Sequence, residues 1–143
     1  GMLIAIREMA EYGNHYASQT VANAKALGRA LADEGVNVEA EEFGFTESHQ
    51  LALNVNNFGN AKKIARSLAE HNNIITNYNL LPGDKNPNNP SGLRIGVQEM
   101  TRYGMKEAEM QELTGLIKAG LKGKVVKDQV IQLRSRFTEV HYA

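Results

Sequence analysis

An arginine and a glycine two residues apart, within Ser91-Gly92-Leu93-Arg94-Ile95-Gly96, are the residues of this chain best suited to chemistry. From Leu93 to Gln98 apolar and non-apolar residues alternate, the period of a half-buried strand. Leu93, Ile95 and Val97 then face a core, while Arg94, Gly96 and Gln98 share the opposite face. Glycine weakens a strand and is used where a ligand or another backbone comes close, so Gly96 leaves room beside the guanidinium. The planar fork of arginine binds a carboxylate through paired hydrogen bonds. Arg94 is therefore a candidate carboxylate anchor, with a solvated strand arginine as the alternative on the pattern alone.

Other chemistry is sparse. His15, His49, His71 and His141 show no metal-ligand spacing and read as surface or helix-end residues. Glu39, Glu41 and Glu42 form one acidic group, and Glu107, Glu109 and Glu112 form another near a helix start, where carboxylates suit the helix dipole. No phosphate-binding loop, G-x-G-x-x-G or nucleophile elbow is present. With no cysteine there is no disulfide framework, thiolate nucleophile or Cys-based metal site. That composition fits a protein of a reducing compartment, the cytoplasm. Sixteen basic residues balance sixteen acidic ones, which gives no electrostatic argument for nucleic acid or an anionic membrane. No apolar run is long enough to span a bilayer.

The elements that must position Arg94 follow from periodicity. Residues 2–34 read as one long helix with a stripe of Ile6, Met9, Tyr16, Thr20, Ala24, Leu27 and Leu31, stopped at Gly35. Val36–Phe43 and His49–Val55 alternate as strands across a short loop, so they are expected to pair antiparallel. Asn60 is a good N-cap for a helix reaching His71. Ile74–Leu81 reads as a third short strand. Pro82–Pro90 holds all three prolines of the chain and must be loop. After the strand of Arg94, Met105–Lys122 is an amphipathic helix ended by Gly123. Val126, Val130, Leu133, Phe137 and Val140 mark a last one. The order predicts an α+β fold, a mainly antiparallel sheet of three or four strands packed against helices. Residues 1–143 then form a single domain, the helix 2–34 leading into a smaller part, 35–143. Gly1 before Met2 reads as the scar of a removed tag.

These motifs resemble the C-terminal small domain of serine hydroxymethyltransferase, a pyridoxal-phosphate enzyme of the aspartate-aminotransferase fold (fold type I). The similarity rests on Ser91–Gly96, on Asn77, Asn79 and Pro82 upstream, on Thr101 and Gly104 downstream, and on Asn23-Ala24-Lys25-Ala26-Leu27 as the N-A-x-x-L helix. In that family the arginine of S-G-[LI]-R-[IV]-G holds the α-carboxylate of the amino-acid substrate, a role that falls on Arg94. Asn79 matches the asparagine that contacts the folate cosubstrate; turn chemistry before Pro82 is the alternative. The sequence departs from the family at Tyr78, where lysine is usual, and through Asn86–Ser91 and Val97–Met100. The carboxylate arginine is kept while the folate side is eroded. That pattern suits a divergent relative such as a folate-independent aldolase or transaldolase.

The resemblance implies pyridoxal phosphate in the intact enzyme and reversible carbon–carbon cleavage of a β-hydroxy amino acid. A Schiff-base lysine needs a desolvated pocket and a phosphate site, whereas Lys25, Lys62, Lys63 and Lys118 fall on polar helix faces. The cofactor-binding large domain is therefore expected to be missing, the chain to be a fragment cut at its N-terminus and natural at its C-terminus, and no cofactor to bind to it alone. Its expected partners are an amino-acid substrate, the missing large domain and a second copy in a homo-oligomer. A reading from another class is a free-standing module that binds a carboxylate ligand or dimerises.

Overall fold

The structure is a computed structural model that describes residues 1–142. Helix α1 (Met2–Asp33) stops as its sequence predicts. Gly35 takes φ +77° and lets the amide of Val36 reach back 2.9 Å to the carbonyl of Leu31, a closure that needs a left-handed residue. Burial along α1 begins only at Thr20 and continues through Asn23, Ala24, Leu27 and Leu31. The first part of the predicted stripe is left uncovered among the described residues: Ile6 is 59% and Met9 42% exposed.

Strands β1 (Asn37–Val38) and β2 (Gln50–Asn54) pair antiparallel, with Val38 opposite Leu53. The predicted first strand is much shorter than Val36–Phe43. Ala40 adopts φ 60°, and the chain turns through a 3-10 segment at Glu41–Phe43 that leaves Phe43 exposed. Pairing with β2 goes no further than the Glu39 amide, which bonds to the Ala52 carbonyl at 2.9 Å. Helix α2 (Ala61–Asn72) starts as expected, Asn60 Oδ1 accepting the amide of Lys63 at 3.1 Å. The third strand shrinks to β3 (Asn77–Asn79). Asn73, at φ 56°, caps α2, and the Ile74 amide bonds to the Leu68 carbonyl, so residues 73–74 belong to the helix end.

Strand β4 covers Gly92–Gly96 instead of running to Gln98, and a short helix α3 (Gln98–Arg102) follows it directly. Helices α4 (Glu107–Leu121) and α5 (Lys127–Ser135) complete the order. The last helix ends before Val140, because the tail turns back and the His141 amide bonds to the Arg102 carbonyl at 2.9 Å. The four strands form one antiparallel sheet in the order β1-β2-β4-β3. Leu51, Leu53, Leu93 and Ile95 join Leu27, Leu31, Leu68, Met110 and Ile117 in one core. The fold is α+β, with helices packed on one face of the sheet.

A buried asparagine ties α1 to α3 and to the turn that follows it. Asn23 Nδ2 donates to Thr101 Oγ1 at 2.9 Å and to the Met105 carbonyl at 2.8 Å, while its Oδ1 accepts from Gln19 Nε2. Both Asn23 and Thr101 are fully buried. This network holds α3, and with it the end of β4, against α1.

Candidate functional site

Strand β4 is central, and Arg94 lies between Ala52 of β2 and Asn77 of β3. Leu93 and Ile95 are buried on the helix side, while Arg94 and Gly96 are exposed on the other. The period-two reading of this strand therefore places the guanidinium on the open face of the sheet. It lines a cleft of about 450 Å3 with His49, Gln50, Asn77, Gln98 and Glu99. A second, more apolar groove of the same size runs along Met9, Tyr16 and Thr20 of α1 and shares His49 and Gln98 with the first. A somewhat larger cleft lies near Asn57–Ile64 and Gly120–Gly123 and does not include Arg94.

The loop before β4 is fixed by one carboxylate. Asp84 Oδ2 accepts the amides of Leu81 and Ser91, both at 2.9 Å, and Asn88 donates its amide to Asn86 Oδ1. Leu81 is thereby drawn over Gly92, where an added Cβ would lie 2.6 Å from the Asn79 carbonyl and 2.7 Å from Leu81 Cγ. These amide bonds, from Ser91 first and Leu81 second, hold the Asp84 carboxyl below its usual 3.8. A carboxylate with a lowered folded value stabilises fully above its ordinary value, and the benefit is lost as pH falls through the lowered one. The loop is therefore expected to loosen below about pH 3.8. Amide exchange at Leu81 and Ser91 should rise there, and Asp84→Asn should remove the pH dependence.

Arg94 and Asn79 lie on the same sheet face but at different rungs. Asn79 pairs with Gly92, next to the Leu81 cover, while Asn77 pairs with Arg94 and walls its cleft. Asn77, His49 and Gln50 were not singled out for the site by sequence reasoning. Asn77 could have been found by counting two residues back from Asn79 along the strand face; Gln50 needed the register of β2 on β4. Gln98, placed by alternation on the face of Arg94, reaches the cleft from the first turn of α3 instead of from a strand. The Thr76 hydroxyl, in the same wall, is a buried side-chain oxygen with no hydrogen-bond partner among the described residues.

The residues present do not by themselves fit pyridoxal phosphate. Every lysine is exposed except Lys25 and Lys118, which are half-buried and paired with Glu47 and Glu34. None sits in the desolvated pocket that a Schiff-base lysine requires. Among the described residues no three His, Asp or Glu side chains are placed to hold a metal ion. No helix among them is long and apolar enough to cross a membrane. What this arrangement can do is orient a carboxylate.

Comparison with known proteins bears on the family of the whole chain. The chain is 50% identical over its whole length to a serine hydroxymethyltransferase of Methanobrevibacter smithii and covers 34% of that protein. It is 52% identical over 94% of its length to the one of Saccharolobus islandicus, covering 32% of it. In structure it is similar to an L-threonine transaldolase from Pseudomonas fluorescens, with a TM-score of 0.84 and 31% identity over 99% of this chain and 33% of the other. The chain thus spans about a third of the length of the curated relatives it matches. Residues 2–117 match the serine hydroxymethyltransferase family, and the chain belongs to that family.

Proposed function

We propose that this chain is the C-terminal small domain of a serine-hydroxymethyltransferase-like enzyme that cleaves or forms a carbon–carbon bond at the β-position of an amino acid, and that Arg94 holds the substrate carboxylate. The observation that carries the reading is the placement of Arg94. It stands exposed on the open face of the central strand, over a cleft in which the Gln98 carboxamide takes up the space that Gly96 leaves. Similarity to an L-threonine transaldolase supports a β-hydroxy amino acid as the substrate class. Arginine stays charged at any working pH, so it offers orientation and not proton transfer. Fixing the carboxylate sets the direction of the bonds at Cα, and alignment of this kind lowers the barrier by removing rotational freedom before the chemical step.

Pyridoxal phosphate, held by the remainder of the intact protein, would take up the electron pair released when the bond at the β-carbon breaks. No residue of this chain is assigned to it. The isolated chain is therefore expected to bind none, and a borohydride-reducible absorbance band mapped to one of its lysines would overturn that expectation. The carboxylate role is tested by titrating the chain with glycine and following the side-chain Nε–H signal of Arg94 by NMR. A saturable shift that disappears in Arg94→Ala supports the role; an unmoved signal at every concentration contradicts it.

A further inference from the structure

We propose that Gln98 is a second ligand-contacting residue of this cleft, donating its side-chain N–H to the carboxylate that Arg94 holds. The assignment rests on the reading of Arg94 above and adds a specificity residue to it. The Gln98 side chain folds back across the bare backbone of Gly96. A Cβ at residue 96 would lie 2.5 Å from Gln98 Oε1 and 3.3 Å from Nε2, so the absence of a side chain at 96 is what gives the carboxamide its place. Gly96 is two residues beyond Arg94 on the same strand face, and all three residues line the same cleft.

The backbone beneath this side chain is pinned from two sides. Tyr16 Oη donates to the Gln98 carbonyl at 2.8 Å, and the preceding amide, of Val97, bonds to the His49 carbonyl at 3.1 Å. Partial burial pushes the Tyr16 phenol up from its usual 10.0 and keeps it a donor. The carboxamide itself has no hydrogen-bond partner among the described residues, so its N–H groups are free to meet a ligand. Glu99 also lines the cleft, so an anion held by Arg94 lies near a like charge, and a neutral donor in the same lining adds to its hold. A guanidinium supplies two N–H groups in one plane to a carboxylate with about four acceptor positions. One further donor beside that plane fits a carboxylate and discriminates against its neutral amide.

The test compares glycine with glycinamide, titrated by NMR against the wild-type chain and against Gln98→Ala, Gln98→Glu and Gly96→Ala. Glycine should shift the Nε2 protons of Gln98 together with the Nε proton of Arg94. Gln98→Ala should weaken glycine about ten-fold and change glycinamide little. Gly96→Ala, which keeps the glutamine but displaces the far end of its side chain, should do the same. Gln98→Glu, similar in size but negatively charged, should abolish glycine binding. Unchanged glycine affinity in Gln98→Ala, with binding lost in Arg94→Ala, overturns the role of Gln98 and leaves that of Arg94. Equal losses for glycine and glycinamide would make Gln98 structural only and also overturn it. Binding that survives Arg94→Ala, or no shift at either side chain in the wild type, overturns both assignments.

Discussion

Arg94→Ala is expected to leave this chain folded and to weaken glycine binding by a factor of about 10–100. A charged hydrogen bond to a carboxylate is worth about 1.5–3 kcal/mol, which converts to that factor. The guanidinium lies on the open sheet face and takes no part in the core formed by Leu93 and Ile95. Exposed positions of this kind usually shift stability by no more than ~0.5 kcal/mol. Thermal melting and glycine titration of the same variant separate the two effects. A collapsed variant would make Arg94 a structural residue, and unaltered glycine affinity would remove the carboxylate role.

The largest stability loss is expected from Asn23→Ala. The carboxamide is fully buried and serves Thr101, Met105 and Gln19 at once. Its removal strands the Met105 carbonyl, at about 1–3 kcal/mol for an unpaired buried group, and leaves the Thr101 hydroxyl only its bond to the Val97 carbonyl, over the cavity of a lost side chain. A loss of about 3 kcal/mol corresponds to a fall of about 10 °C in Tm for a chain of this size. Asn23→Asp should also destabilise, since it replaces the N–H donor with an acceptor that faces the Met105 carbonyl. A Tm within a degree or two of the wild type in Asn23→Ala would show that the network carries no net stability.

Where local chemistry decides the backbone, the sequence could be read directly. Asn60 caps α2, Gly35 ends α1, and alternation from Leu93 to Ile95 orients Arg94. The family motif around Asn23 and Leu27 could be recognised, although its physical basis, a hydrogen bond across 78 positions to Thr101, lies outside any local window. The failures share one cause. Val36–Phe43 alternates in type, but Ala40 takes a left-handed conformation that alanine does not advertise. Ile74 and Leu81 are apolar at both ends of a predicted strand, yet one is held by the end of α2 and the other lies beside the Asp84 clamp. The walls of the cleft were hidden for a similar reason: Gln50 and Asn77 flank Gly96 and Arg94 only through cross-strand register, which no single strand encodes.

Strand β4 is inserted between two strands that do not touch each other, and this has a consequence for how the protein acquires its anchor. β2 and β3 are joined only through β4, and β4 reaches β2 across α2, β3 and the proline-rich loop. Closing so long a stretch of chain is entropically costly and makes such pairings slow to form. Helices α1 and α2 close their own backbone bonds locally and the β1–β2 pair joins strands adjacent in the chain, but none of them presents Arg94 between Ala52 and Asn77. The proposed carboxylate anchor, Arg94, is therefore put in place by the same event that completes the sheet. A nascent or partly refolded chain can be rich in helix and still have no site. Recovery of ligand binding after dilution from denaturant thus follows the slowest long-range pairing and not the early return of helical signal.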